Sequence, residues 1–132
     1  MKINLDFDGT CVSHAFPKVG EDIGAVPVLK ELVANGHKLI LFTMRSNNKE
    51  GPHKTILTDA IKWFEKNEIP LYGVQTDPEQ HKWTKSPKSY AHLMIDDSAL
   101  GCPLIFDKAI SHRPFVDWVV IRELLIINKY LK

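Results

Sequence analysis

A chain of 132 residues, 44% hydrophobic and 25% charged, is long enough for one ordinary core and too apolar for disorder. Its formal net charge of +1, with no long basic run, argues against a general nucleic-acid or anionic-membrane binder. The two cysteines, Cys11 and Cys102, make neither a zinc site nor a disulfide framework. Free thiols and a start interrupted by Asp6 and Asp8 suit a cytoplasmic protein without a leader.

Residues 2–7 read as a short apolar strand, and Gly9 allows a sharp turn after it. Positions two apart on a strand share a side, so Asp6 and Asp8 face a common space at its carboxyl end. Two aspartates on an apolar strand repel and lose hydration, which a bound cation relieves; the plainer reading is an Asx turn. Residues 11–22 are irregular and read as a loop or small flap beside that end.

A helix is expected over 26–35, with Val26, Leu29 and Val33 near one face and Gly36 suited to a left-handed position after it. Residues 37–43 form a continuous apolar strand of the kind covered on both faces. A polar loop over 44–53 leads to an amphipathic helix over 54–67, built on Leu57, Ile61 and Phe64. Short strands follow at 71–74 and 91–95, separated by a polar loop that holds His81 and Trp83. A fifth strand over 104–106 and a helix opened by Pro114 or Phe115 complete the chain.

That order predicts an α/β fold: a single Rossmann-like three-layer domain over residues 1–132. It would have a mainly parallel sheet, helices on both faces and no substantial cap domain. The ends of the first, second and fourth strands then share one edge and gather Asp6, Asp8, Thr43, Asp96 and Asp97.

Asp6-Phe7-Asp8-Gly9-Thr10, Thr43 after an apolar strand, and Lys88 eight residues before Asp96-Asp97 resemble the haloacid dehalogenase-like superfamily of phosphatases. The resemblance covers residues 2–107 and is nearest to small members with little or no cap. It implies a Mg2+-dependent phosphatase that hydrolyses phosphate monoesters through an aspartyl-phosphate. Asp6 would be the nucleophile, and Asp8 the acid for the leaving oxygen and then the base for water. Thr43 and the Met44 N–H would bind a phosphoryl oxygen, and Lys88 would neutralise Asp6 and the phosphate. Magnesium would sit on Asp6, the Asp8 carbonyl and Asp96, with Asp97 behind them.

Each of these residues also has an ordinary reading: Thr43 as a β-branched strand end, Lys88 as a solvated loop lysine, Asp96-Asp97 as a loop initiator. Lys85 competes with Lys88 in the same loop. Arg45 reads either as a phosphate or substrate contact or as a surface arginine. His14, His53, His81 and Trp83 lie on loops without metal-ligand spacing, and Cys11 reads as a small buried side chain.

The expected partner is a phosphorylated small molecule. Alternatives are a phosphorylated nucleic-acid end, a phosphoprotein, or a phosphoryl-binding domain that does not turn over. No membrane is expected, because the apolar stretch near the C-terminus contains Arg122 and Glu123. Apolar residues wrap widely around the last helix, which reads as deep burial or as a homodimer contact.

Overall fold

The computed structural model describes residues 1–132. Strand β1, Lys2–Leu5, alternates as the sequence requires: Ile3 and Leu5 are buried against the core, and Asn4 turns to the opposite face. Helix α1, Ala25–Ala34, starts where Asp22 Oδ1 accepts the N–H groups of Gly24, Ala25 and Val26 at 3.2, 2.9 and 3.3 Å. It buries Ala25, Val28, Leu29 and Leu32, and Gly36 follows at φ 87°. Strand β2, Lys38–Leu41, helix α2, Ile56–Lys66, and strand β3, Gly73–Val74, lie within the expected segments. Strand β4 is Leu93–Ile95.

The four strands form one parallel sheet in the order β3-β2-β1-β4. Leu5 is level with both Leu41 and Ile95, so the chain leaves β1, β2 and β4 along one edge. Ile3, Leu5, Leu39 and Leu41 pack in a single cluster with Leu29 and Leu32 of α1 and Phe64 of α2. Burying one such leucine contributes about 1.5–3 kcal/mol.

The opposite face is covered by the long crossover over 75–92, whose regular piece is a 3-10 turn at Gln80–Lys82. Buried polar groups need partners, and here they find each other across that layer. Asn4 Nδ2 donates to Ser89 O at 3.0 Å, and Ser89 Oγ donates to Asn4 Oδ1 at 2.8 Å. The buried Gln80 amide spans the crossover, donating to Ser86 O and Lys88 O and accepting from the N–H groups of Asp77 and Tyr90. The α/β domain with a parallel sheet and no cap is therefore present, but the expected α-helices on both faces are not: α1, α2 and α3 share one cluster, and the other layer is the mostly irregular crossover, whose polar residues satisfy each other.

The C-terminal third departs from expectation in two places. Strand β5, Leu104–Ile105, does not join the main sheet; it pairs antiparallel with β6, Phe115–Val116. Helix α3 accordingly begins at Trp118 and runs to Ile127, later than Pro114 or Phe115. Phe115 and Val116 are taken by the β ladder, and Asp117 then caps the helix by accepting from Val119 and Val120 at 3.1 and 3.2 Å. Trp118, Ile121 and Leu125 face the core, while Val119 and Ile127 are exposed. No helix is long and apolar enough to cross a membrane.

Candidate active site at the carboxyl edge of the sheet

The loop after β1 turns back at once: Thr10 and Cys11 donate their N–H groups to Phe7 O at 3.1 and 2.8 Å. Gly9 sits at φ 77°, and a Cβ there would also collide with the His14 ring and the Asp97 carboxylate. Only glycine fits both demands. Thr10 is fully buried and organises the loop around its hydroxyl, which donates to Asp6 Oδ2 at 2.8 Å and accepts from Asp97 N at 3.0 Å. Its carbonyl accepts from Trp118 Nε1 at 2.7 Å, which ties α3 to the motif.

Carboxylate oxygens of Asp6, Asp96 and Asp97 lie within 4.8 Å of one another. Asp96 Oδ1 accepts both the N–H and the hydroxyl of Ser98 at 2.8 Å. Asp97 Oδ2 stands 3.5 Å from His14 Nε2. The Asp6 carboxyl is pushed up to about 8, first by burial and then by the Asp96 charge and the Asp97 contact, against the Thr10 hydrogen bond. The Asp8 carbonyl accepts no backbone hydrogen bond. Hard oxygen donors suit magnesium, and the three clustered carboxylates of Asp6, Asp96 and Asp97 fit such an ion.

Arg45 is 1% exposed and all five of its guanidinium N–H groups are used within the chain. Nε donates to Asp8 Oδ2 at 2.8 Å and Nη2 to Asp8 Oδ1 at 2.7 Å, a bidentate pair. The others reach the carbonyls of Pro17, Lys18 and Ile56 at 3.3, 2.8 and 3.0 Å. The Phe7 and Phe16 rings lie 5.1 and 5.3 Å from its guanidinium carbon. Arg45 is thus neither a surface residue nor free to meet a phosphate. It clamps Asp8 and joins β1's loop, the 11–22 flap and the start of α2.

Thr43 and Met44 lie on the turn leaving β2, held by the Gln75 amide. Gln75 Oε1 accepts from Thr43 N at 2.9 Å, and Nε2 donates to Thr43 O and Arg45 O at 2.7 and 3.0 Å. Thr43 Oγ1 accepts the Arg45 N–H at 3.1 Å, leaving its own proton to donate. Asp6, Asp8, Thr43, Met44, Asp96 and Asp97 line one cleft, bordered by His14, Phe16 and Arg113.

Lys88 is not among the residues lining that cleft. It is exposed on the crossover and borders a different depression with Trp83, Ser89 and Tyr90; Lys85 is exposed on the same segment. Sequence spacing counted residues back from Asp96, but the chain before β4 runs from the opposite edge of a parallel sheet. His81 bonds its own loop at Pro78 O, and the His53 ring lies 5.5 Å from that of Phe16. Cys11 is buried, and its thiol donates to Asp6 O at 3.3 Å. Arg113 and the staple role of Gln75 had no sequence signal, because each depends on contacts across 30 or more positions.

Fold and site together define a parallel α/β domain with an acidic cleft at the carboxyl edge of its sheet. No family model and no curated protein sequence matches the chain. A solved structure of a conserved protein from Bacteroides thetaiotaomicron is similar: 37% identity, TM-score 0.72, over 98% of this chain and 91% of that one. The chain belongs to the family of that conserved protein.

Proposed function

We propose that the protein is a magnesium-dependent phosphatase that hydrolyses small phosphate monoesters through an aspartyl-phosphate on Asp6. The observation that carries this reading is the separation of two aspartates on one tight loop. Asp6 points into the acidic cluster beside Thr10, and Asp8 is held by Arg45. Asp6 lies among the clustered carboxylates, where a bound cation would keep it ionised for attack, and Asp8 stands outside that cluster on the wall of the same cleft.

Asp6 attacks phosphorus, an Asp6 oxygen–phosphorus bond forms, and the ester oxygen–phosphorus bond breaks while Asp8 gives its proton to the leaving oxygen. Water then attacks the same phosphorus, Asp8 takes the proton, and the acyl phosphate returns Asp6 and inorganic phosphate. The Arg45 pairing fixes the plane of Asp8 and favours its ionised form, so Asp8 takes a proton from solvent before it serves the leaving oxygen, and each carboxylate oxygen keeps a second lone pair for that proton. The Thr43 hydroxyl and the Met44 N–H, which has no partner in the chain, face the transferring oxygens. Asp6 and Asp96, with the Asp8 carbonyl, would hold a magnesium ion, which would supply charge neutralisation at the phosphate.

Intact-mass measurement after mixing with a nitrophenyl phosphate tests the assignment. Asp8→Asn is expected to accumulate a phosphorylated chain and Asp6→Asn to form none, with steady-state turnover in Asp8→Asn down roughly 10²–10⁴-fold. Equal trapping in both variants contradicts the roles. A screen over sugar phosphates, nucleotides, end-phosphorylated oligonucleotides and phosphopeptides separates substrate classes. Binding without turnover of any would leave a phosphoryl-binding domain. Two unpaired cysteines support a cytoplasmic setting.

A further inference from the structure

The charge balance of the cleft leaves one task without a residue. Four carboxylates line it, from Asp6, Asp8, Asp96 and Asp97, and an incoming phosphate adds more negative charge. Lys88 lies elsewhere, and Arg45 has no donor left. Arg113 is the cleft-lining cation whose side chain forms no hydrogen bond or ion pair.

Its backbone is nevertheless held in place on both sides. The His14 N–H donates to Ser111 Oγ at 2.9 Å, His14 Nε2 bonds Pro114 O at 2.9 Å, and Val116 N donates to Gly9 O at 3.0 Å. Residues 111–116 are therefore stapled to the loop that carries Asp6 and Asp8. An arginine with a fixed base and an uncommitted guanidinium at the mouth of an acidic cleft is built to receive an oxyanion.

Resting on the reading of this cleft as a phosphoryl site, we infer that Arg113 is its anion-binding residue, taking the phosphate oxygens that the sequence spacing assigned to Lys88. Arg45 holds the protein's own carboxylate, and Arg113 holds the substrate's charge.

Calorimetric titration of inorganic phosphate into the full chain with magnesium tests this, beside nitrophenyl phosphate kinetics. Arg113→Gln is expected to weaken phosphate binding and kcat/KM at least about tenfold, as loss of a charged hydrogen bond does. Arg113→Lys should recover part of that loss, and the melting temperature of both should match the wild type, since the exposed side chain makes no hydrogen bond or ion pair. A smaller loss in Arg113→Gln, or an equal or greater loss in Lys88→Ala, overturns the inference while leaving the phosphatase reading in place. Phosphate binding that depends on Arg113 without hydrolysis of any ester upholds the inference and defeats the phosphatase reading. A wild-type chain that neither binds phosphate nor hydrolyses esters defeats both.

Discussion

At the scale of single residues, Arg45 and Gly9 carry the most consequence. Removing one partner of a buried ion pair strands the other, and Arg45→Ala would also remove the donors that reach the carbonyls of Pro17, Lys18 and Ile56. Asp8 keeps some solvent contact, so the low end of the range applies: about 3 kcal/mol, or a fall of roughly 10 °C in melting temperature. Arg45→Lys should recover little, because an ammonium cannot fork across both Asp8 oxygens and reach the carbonyls as well. A melting curve within 2 °C of wild type, a margin of roughly 0.5 kcal/mol, would show that the clamp is not structural. Gly9→Ala meets a left-handed φ costing about 1–2 kcal/mol and also displaces His14 and Asp97. It is expected to abolish phosphatase turnover, and wild-type turnover by a folded Gly9→Ala chain would contradict the geometry described.

The elements show how local signals and long-range contacts share the work. Helix α3 has a capping aspartate, and Asp117→Ala should cost about 1 kcal/mol in urea unfolding. Activity should be spared unless Trp118 loses its bond to Thr10 O. The turn after β2 is a different case, because Thr43 and Arg45, on either side of Met44, are held by an amide just beyond the end of β3. Gln75→Ala leaves Thr43 N and two carbonyls without their partner. Its expected effect is a raised KM for phosphate esters at nearly normal stability, read from steady-state kinetics. An unchanged KM would mean that the turn holds its shape alone.

Across the whole molecule, the acidic cleft links stability to pH and to magnesium. The folded Asp6 carboxyl stands at about 8, above its ordinary 3.8, so folding favours its protonated form. In chelator that contribution is complete below about pH 4 and is lost as the pH rises through 8. A cation binds the ionised carboxylates and reverses the penalty. Magnesium should therefore raise the melting temperature more at pH 8 than at pH 5.5, and Asp6→Asn should flatten the difference. An equal shift at both pH values in the wild type would disconnect Asp6 from the ion.

What the sequence determined by itself is what local periodicity encodes. Apolar runs and helical faces marked the four sheet strands and the three helices to within a few residues, and Gly36 marked the end of α1, while β6 reads in sequence as the start of the last helix. Parallel topology then followed from their order, which brought Asp6, Asp8, Thr43, Asp96 and Asp97 to one edge. The tertiary structure alone decided which cations serve that edge. Arg45 is two residues from Thr43, yet its inward turn depends on carbonyls at 17, 18 and 56 and on Asp8. Lys88 sits near Asp96 in sequence but precedes a short strand whose start lies at the other edge of the sheet. Arg113 comes from a stretch where β5 pairs with β6 and folds back on Gly9, so its place could not be counted along the chain. Charge is assigned by distance through space, and only packing sets that distance.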